Sequence, residues 1–122
     1  MNNIMNNEWL REYCMSFKGA TEEVQWEDHL LFKVGGKIFV ISALNNTAEN
    51  LMSIKSDPEV FDELVETEGI VPAPYLAKAK WIAVKKNCRL KPAELKALIK
   101  TSYNLVYEKL LKRIKSQIEF PS

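Results

Sequence analysis

Nitrogen and sulfur ligands for metals are scarce in this chain. It has one histidine, His29, and two cysteines, Cys14 and Cys88, among 122 residues. No Cys-x-x-Cys pair occurs, so no familiar zinc spacing can be assembled. The cysteines are expected as free thiols, with Cys14 a small apolar residue on a buried helix face. Long apolar runs are missing too: none approaches the ~18 residues that suggest a membrane span. The N-terminal MNNIMNNEWL has neither a basic region nor an apolar core, which argues against a secretory signal and makes the cytoplasm the expected compartment. Gly-x-Gly-x-x-Gly and Walker patterns are absent, leaving Gly35-Gly36 as a turn. Neither a cofactor nor a metal is expected, and no membrane partner.

One stretch also lacks acid. Pro72 to Lys91, PAPYLAKAKWIAVKKNCRLK, holds Lys78, Lys80, Lys85, Lys86, Arg89 and Lys91 without a carboxylate. It marks an electrical divide. Residues 1–72 carry 5 basic and 13 acidic side chains, residues 73–122 carry 12 and 3, so the net charge of +1 conceals a polarised molecule.

The order of elements follows from periodicity. Trp9, Leu10, Tyr13, Cys14 and Phe17 mark one face of a first helix that Lys18-Gly19 ends. The period then changes from helical to alternating. Val24 and Trp26 share one side of a short strand, and Glu27-Asp28-His29 reads as a turn. Leu30–Val34 and Lys37–Ser42 form a hairpin, because a two-residue Gly-Gly turn of type I′ needs positive φ at both positions. The second of these strands is apolar on both faces, which predicts a central strand covered on each side. A turn at Asn45-Asn46-Thr47 leads to a strand at Asn50–Lys55.

Ser56-Asp57-Pro58-Glu59 starts a helix. Either Ser56 and Glu59 form a capping box, or Asp57 caps with Pro58 in the first helical position. Val60, Phe61, Leu64 and Val65 are its buried stripe, and Gly69 ends it. Ile70–Pro74 is extended, Lys80–Lys86 is a strand, and a long final helix runs from Pro92 to about Lys115. The predicted architecture is α+β: two layers, an antiparallel sheet flanked by helices, in the order α-β-β-β-β-α-β-α. Residues 7–116 form one domain, with 1–6 a flexible tail and 117–122 a C-terminal tail.

No catalytic constellation emerges, and an enzyme is not expected. His29 lacks a second catalytic group and reads as a solvated turn residue. Glu22, Glu23, Glu27 and Asp28 lack calcium-loop spacing and read as acidic surface. Cys88, near Lys86 and Arg89, is the more reactive thiol if exposed. In the basic stretch, strand alternation puts Lys80, Ile82, Val84 and Lys86 on one side, and Trp81, Ala83 and Lys85 on the other. Such lysines would neutralise phosphates, or would guard a sheet edge. Trp81 reads as core; if exposed, it or Tyr75 would stack on a base.

Five segments resemble the MmcQ/YjbR family of small bacterial proteins: YCMSFKGA from Tyr13, LFKVGGKIFV from Leu31, Ile54-Lys55, YLAKAKWIAV from Tyr75, and LKALIKTSYNLV from Leu95 with its Ser102-Tyr103 pair. The resemblance implies a fold like that of type III secretion chaperones and a "double-wing" DNA-binding protein. It carries no catalytic residues. Its Lys-x-x-Trp motif falls on Lys78–Trp81, and its hairpin lysines on Lys33 and Lys37. The expected function is DNA binding with little sequence specificity, through Lys78, Lys80, Lys85, Lys86 and Arg89, with Lys33 and Lys37 in support. The alternative is a protein-interaction or chaperone-like module, as a homodimer or with a protein partner.

Overall fold

The computed structural model describes residues 7–25, 28–43, 50–74 and 76–121. Trp26, Glu27, the turn at residues 45–47 and Tyr75 lie outside them. Helix α1 spans Asn7–Met15, followed by β1 (Ala20–Gln25), β2 (His29–Val34), β3 (Lys37–Ala43) and β4 (Asn50–Lys55). Then come α2 (Phe61–Leu64), β5 (Ile70–Pro72), β6 (Trp81–Lys85), α3 (Pro92–Glu108) and α4 (Lys112–Glu119). The strands form one antiparallel sheet in the order β1-β2-β3-β4-β6-β5. The fold is the expected α+β class. Three details differ from the sequence reading: a sixth strand, a one-turn α2, and a final helix broken in two.

The sixth strand is the stretch the prolines keep extended, for Ile70, Val71 and Pro72 pair with Val84, Ala83 and Ile82. Neither expected cap holds: α2 starts only at Phe61, after an N-cap Val60 without a side-chain bond, and Asp57 Oδ1 instead accepts from the Glu59 N–H at 2.9 Å in the turn ahead of it. Ser56 turns inward, donating to the Lys80 carbonyl at 2.7 Å. The final helix breaks at Lys109–Leu111. Leu111 is extended (ψ 149°) and α4 starts in a new direction. The break returns apolar residues to the body of the protein. A Cβ on Gly35 would lie 2.6 Å from Leu110 and 2.9 Å from Ile114, and one on Gly19 would lie 2.8 Å from Ile118. A straight helix would carry Ile114 and Ile118 past the sheet into water. Residues 117–119, assigned to a tail from sequence, thus belong to α4.

One sheet face carries the main core. The row Leu30, Ser42, Met52, Val84, Ile70 runs in register across five strands, and all five are buried. Leu95, Ile99, Tyr103 and Val106 of α3 cover it together with Leu10 and Cys14 of α1. Phe17 stacks on Tyr103 at 4.7 Å between centroids and meets Phe39 edge-on at 6.0 Å. Aromatic contacts of this kind add to what burial alone supplies. Glu94 starts α3 by accepting from the Lys91 N–H at 3.0 Å, and Pro92 sits at the first helical position.

Ser102 forms the tightest link between α3 and the sheet. Register would set Lys55 of β4 opposite Phe39 of β3. The fully buried Ser102 hydroxyl stands between them instead, accepting from the Lys55 N–H at 2.9 Å and donating to the Phe39 carbonyl at 2.7 Å. A bulge contributes. Phe32 pairs with Val40 but Lys33 with Ile38, so Phe39 is the extra residue and its ring goes into the core. The strands part here, and α3 fills the gap.

Two of the links are testable through titration. Burial pushes the pKa of the Cys14 thiol up to about 12, and it also raises that of the half-buried Cys88. At pH 8 a thiol reagent is expected to modify Cys88 first, and Cys14 only after denaturant is added, as two resolved steps. A single fast step of two thiols would contradict this packing.

The α4 contact titrates as well. Tyr107 Oη donates to Glu119, which Lys18 also approaches at 3.4 Å. The bond holds the Glu119 carboxyl below its ordinary 4.5 and raises the Tyr107 phenol to about 12. Its stabilisation is therefore complete between about pH 4.5 and pH 10; it fades as pH falls through the lowered carboxyl value, and again as pH rises towards 12. The stability difference between native protein and Tyr107→Phe is expected to shrink at both extremes, as read by urea midpoints. A difference that stays constant down to pH 3 would rule this bond out as the cause.

Candidate anion-binding surface

The two ends of the sheet gather different residues. At one end lie the β2–β3 hairpin, the last residue of β4 (Lys55) and the first of β6 (Trp81). At the other lie His29, Ala43, Asn50 and Lys85.

The basic stretch of the sequence straddles β6, so its lysines divide. Lys85 closes the strand at the far end, with Lys86 and Arg89 just beyond it. Arg89 Nε lies 2.7 Å from the Glu68 carboxylate. At the hairpin end, Lys78 is exposed on a 3-10 turn at Ala77–Ala79 that leads directly into Trp81. Lys80 has a left-handed φ of 65° and leaves the strand pattern, its Nζ lying 4.8 Å from the Phe61 ring centroid. Lys33 pairs with Glu23 at 2.7 Å, and Lys37 is exposed. Trp81 is 8% exposed and packs with Ala73 and Ala83 on the sheet face opposite α3, so it offers no open stacking platform. The seven residues singled out from the sequence therefore do not form one patch.

The hairpin end does gather cations, from elements far apart in sequence. Lys55 arrives on β4, Lys37 on β3, and Lys109 at the end of α3. Together they line an open groove of about 580 Å3. Its walls are apolar: Ile38 and Trp81 on the sheet, Leu105, Val106 and Leu110 on the helix. Among the described residues no carboxylate lines it, and Glu108, the one acid between residues 105 and 116, does not reach it. Burial and the neighbouring Lys109 charge, in that order, hold the Lys55 ammonium below its ordinary value.

Lys112 and Arg113 are exposed just past the α3–α4 joint, which the Leu110 and Ile114 contacts hold against Gly35. They occupy the first turn of α4, which has no acidic residue. Cations at the positive end of a helix run against its dipole. Among the described residues, no carboxylate lies within ion-pair distance of Lys37, Lys55, Lys109, Lys112 or Arg113. The sequence marks the last turns of the final helix as basic but gives no reason to join them to Lys37 and Lys55.

Of the acidic residues noted in the sequence, Glu22, Glu23 and Asp28 make pairs. Glu22 takes a two-pronged bond from Arg11 of α1, which lowers its pKa, and Glu23 is held low by Lys33 and Gln25. Asp28 lies 2.7 Å from His29 Nδ1. Among the described residues, no three of His, Cys, Asp and Glu converge as metal ligands. Nor is any described helix long and apolar enough to cross a membrane.

Comparison with known proteins agrees with this fold. The chain is 33% identical over 91 residues to the uncharacterized protein YbdF of Escherichia coli O157:H7, covering 72% of each chain. A crystal structure of the Deinococcus radiodurans protein DR2400, of domain DUF419, superposes with a TM-score of 0.82 at 25% identity, covering 99% of this chain and 94% of that one. A crystal structure of a Pseudomonas syringae protein has the same fold, with a TM-score of 0.67 at 23% identity over 83% of this chain and 98% of that one. The YjbR family model matches residues 15–105, most of the chain, and the protein belongs to the YjbR family.

Proposed function

We propose that this protein is a cytoplasmic, non-enzymatic module that binds DNA by its phosphates, with little sequence specificity. One observation carries the reading: Lys37, Lys55 and Lys109 line one groove at the hairpin end of the sheet, Lys112 and Arg113 are exposed just after Lys109 in the chain, and no carboxylate among the described residues pairs with any of them. Like charges held together raise the energy of the free protein, and a polyanion relieves that cost. Exposed Lys78 adds a cation beside the Trp81 end of the sheet. The implied double-wing resemblance points to the same ligand. Little specificity is expected because the exposed cations are lysines and one arginine, without an Asn or Gln set placed to read base edges.

The test is fluorescence anisotropy of labelled duplex and single-stranded DNA across a salt series. Micromolar binding is expected at low salt, with a log–log slope of about −3 to −4 if some four phosphates are neutralised on duplex. Lys37→Glu/Lys109→Glu/Lys112→Glu should abolish it, whereas Lys85→Glu/Lys86→Glu/Arg89→Glu at the far end should leave most of it. Absence of binding at low ionic strength would end the DNA reading; equal losses in both variants would place the contact elsewhere.

A further inference from the structure

The groove has a second property that phosphate contact does not use. Three lysines share its lining with apolar residues from two strands, β3 and β6, and from the end of α3. Its volume of about 580 Å3 falls in the range of small-molecule sites. A phosphodiester backbone would use the rim and leave the apolar lining open. Inorganic anions would do the same.

We propose that the groove binds a small, soluble amphipathic carboxylate, its anionic head among Lys37, Lys55 and Lys109 and its apolar body along Ile38 and Leu105, past the exposed margin of Trp81.

Three observations support this occupant. Complementarity of charge is one-sided: the described residues of the lining include three cations and no anion, so an entering carboxylate meets attraction from Lys37, Lys55 and Lys109. Lys55 is half-buried, where a charge–charge contact is less screened than at the surface. The Ser102 bridge supplies a fixed base, because it ties the Lys55 backbone to Phe39 through α3. A site held this way loses little freedom when a ligand enters. The lysines on the rim are shared with the proposed DNA surface, but the inference does not depend on DNA binding, since Lys112 and Arg113 lie outside the groove lining.

The experiment is isothermal titration of the intact protein with decanoate below its micelle concentration. Decanol supplies the apolar body without charge, and acetate supplies the head without the body. Decanoate is expected to bind one to one, and each control at least about tenfold more weakly, since a charge-assisted contact is worth about that factor. Lys55→Met and Lys109→Met should each weaken decanoate several-fold while retaining an apolar stem. Lys109 is exposed, so its replacement leaves the fold intact and the test valid even if Lys55→Met does not fold. Equal binding of decanol and decanoate would overturn the proposal, as would decanoate binding that ignores Lys109→Met. Lys112→Glu/Arg113→Glu separates the two readings: it should weaken DNA and spare decanoate. Decanoate binding without DNA affinity would leave this inference standing and remove the DNA reading; the reverse pattern would do the opposite.

Discussion

Gly69→Ala is expected to abolish the folded state or come close to it. Gly69 has φ +90°, and a Cβ there would lie 2.2 Å from the Cys88 Cα and 2.6 Å from its backbone nitrogen. A flexible side chain could swing away; backbone cannot. The residue is also fixed from the other side, because its carbonyl accepts from the Lys85 N–H at 2.7 Å and so ties the end of β6 to the entry of β5. A loss above about 4 kcal/mol is expected, among the large effects reserved for clashes and forced backbone. For a domain of this size that lowers the melting temperature by roughly 15 °C or more. Gly36→Ala is the control. Its φ is +83°, but nothing lies within 4 Å of the added carbon, so only the left-handed penalty of about 1–2 kcal/mol applies. Thermal melts of the two variants decide the matter. If they unfold within a few degrees of each other, the contact with Cys88 is not what demands glycine.

Ser102→Ala should be the second most damaging small change. The hydroxyl serves both strands at once, and its removal leaves the Lys55 N–H and the Phe39 carbonyl without a partner in a buried place. The strands cannot close up to bond directly, since the methyl group that remains and the body of α3 still hold them apart. Each stranded group costs about 1–3 kcal/mol, so a loss near 3 kcal/mol is expected. Denaturant midpoints should fall with an unchanged m-value. Hydrogen exchange at the Lys55 amide should rise by more than the global loss explains. If that amide stays as protected as its strand neighbours, Ser102 is not its acceptor in solution.

These two sites show what kind of information a sequence holds. The Gly35-Gly36 hairpin was legible because a two-residue turn is a local event: both glycines have positive φ, and Val34 pairs with Lys37 as expected. The central position of β3 was legible for a similar reason, since Phe39, Val40 and Ile41 cannot all face one side of a single strand.

The broken final helix was not. Val106, Leu110, Ile114 and Ile118 keep a four-residue spacing straight through the joint, so periodicity continues where the backbone turns. The turn is set by the seats that Gly19 and Gly35 offer, and those belong to other segments. The basic groove was hidden for the same reason. Lys37 stands out because it flanks the hairpin, but Lys55 and Lys109 become its neighbours only when β4 and α3 meet around Ser102. The stretch 78–91 carries cations and no acid, yet in space β6 divides it. Proximity in sequence overstated one patch and concealed another.

The outermost strands bear on how copies of this protein meet at high concentration. A free strand edge is a template for aggregation, and natural sheets blunt it with short strands, proline or charge. Here β5 is three residues long and ends in Pro72, which has no N–H to offer. The opposite margin, β1, is six residues long and carries Thr21, Glu22 and Glu23, with Val24 exposed beside them. Two copies joining β1 to β1 in antiparallel fashion would bring glutamates towards glutamates, although each is already engaged by Arg11 or Lys33. The charged side chains on β1 therefore have a use apart from any ligand: a second copy could pair with this longer margin only by displacing Arg11 and Lys33 or crowding them, which disfavours a continuous sheet.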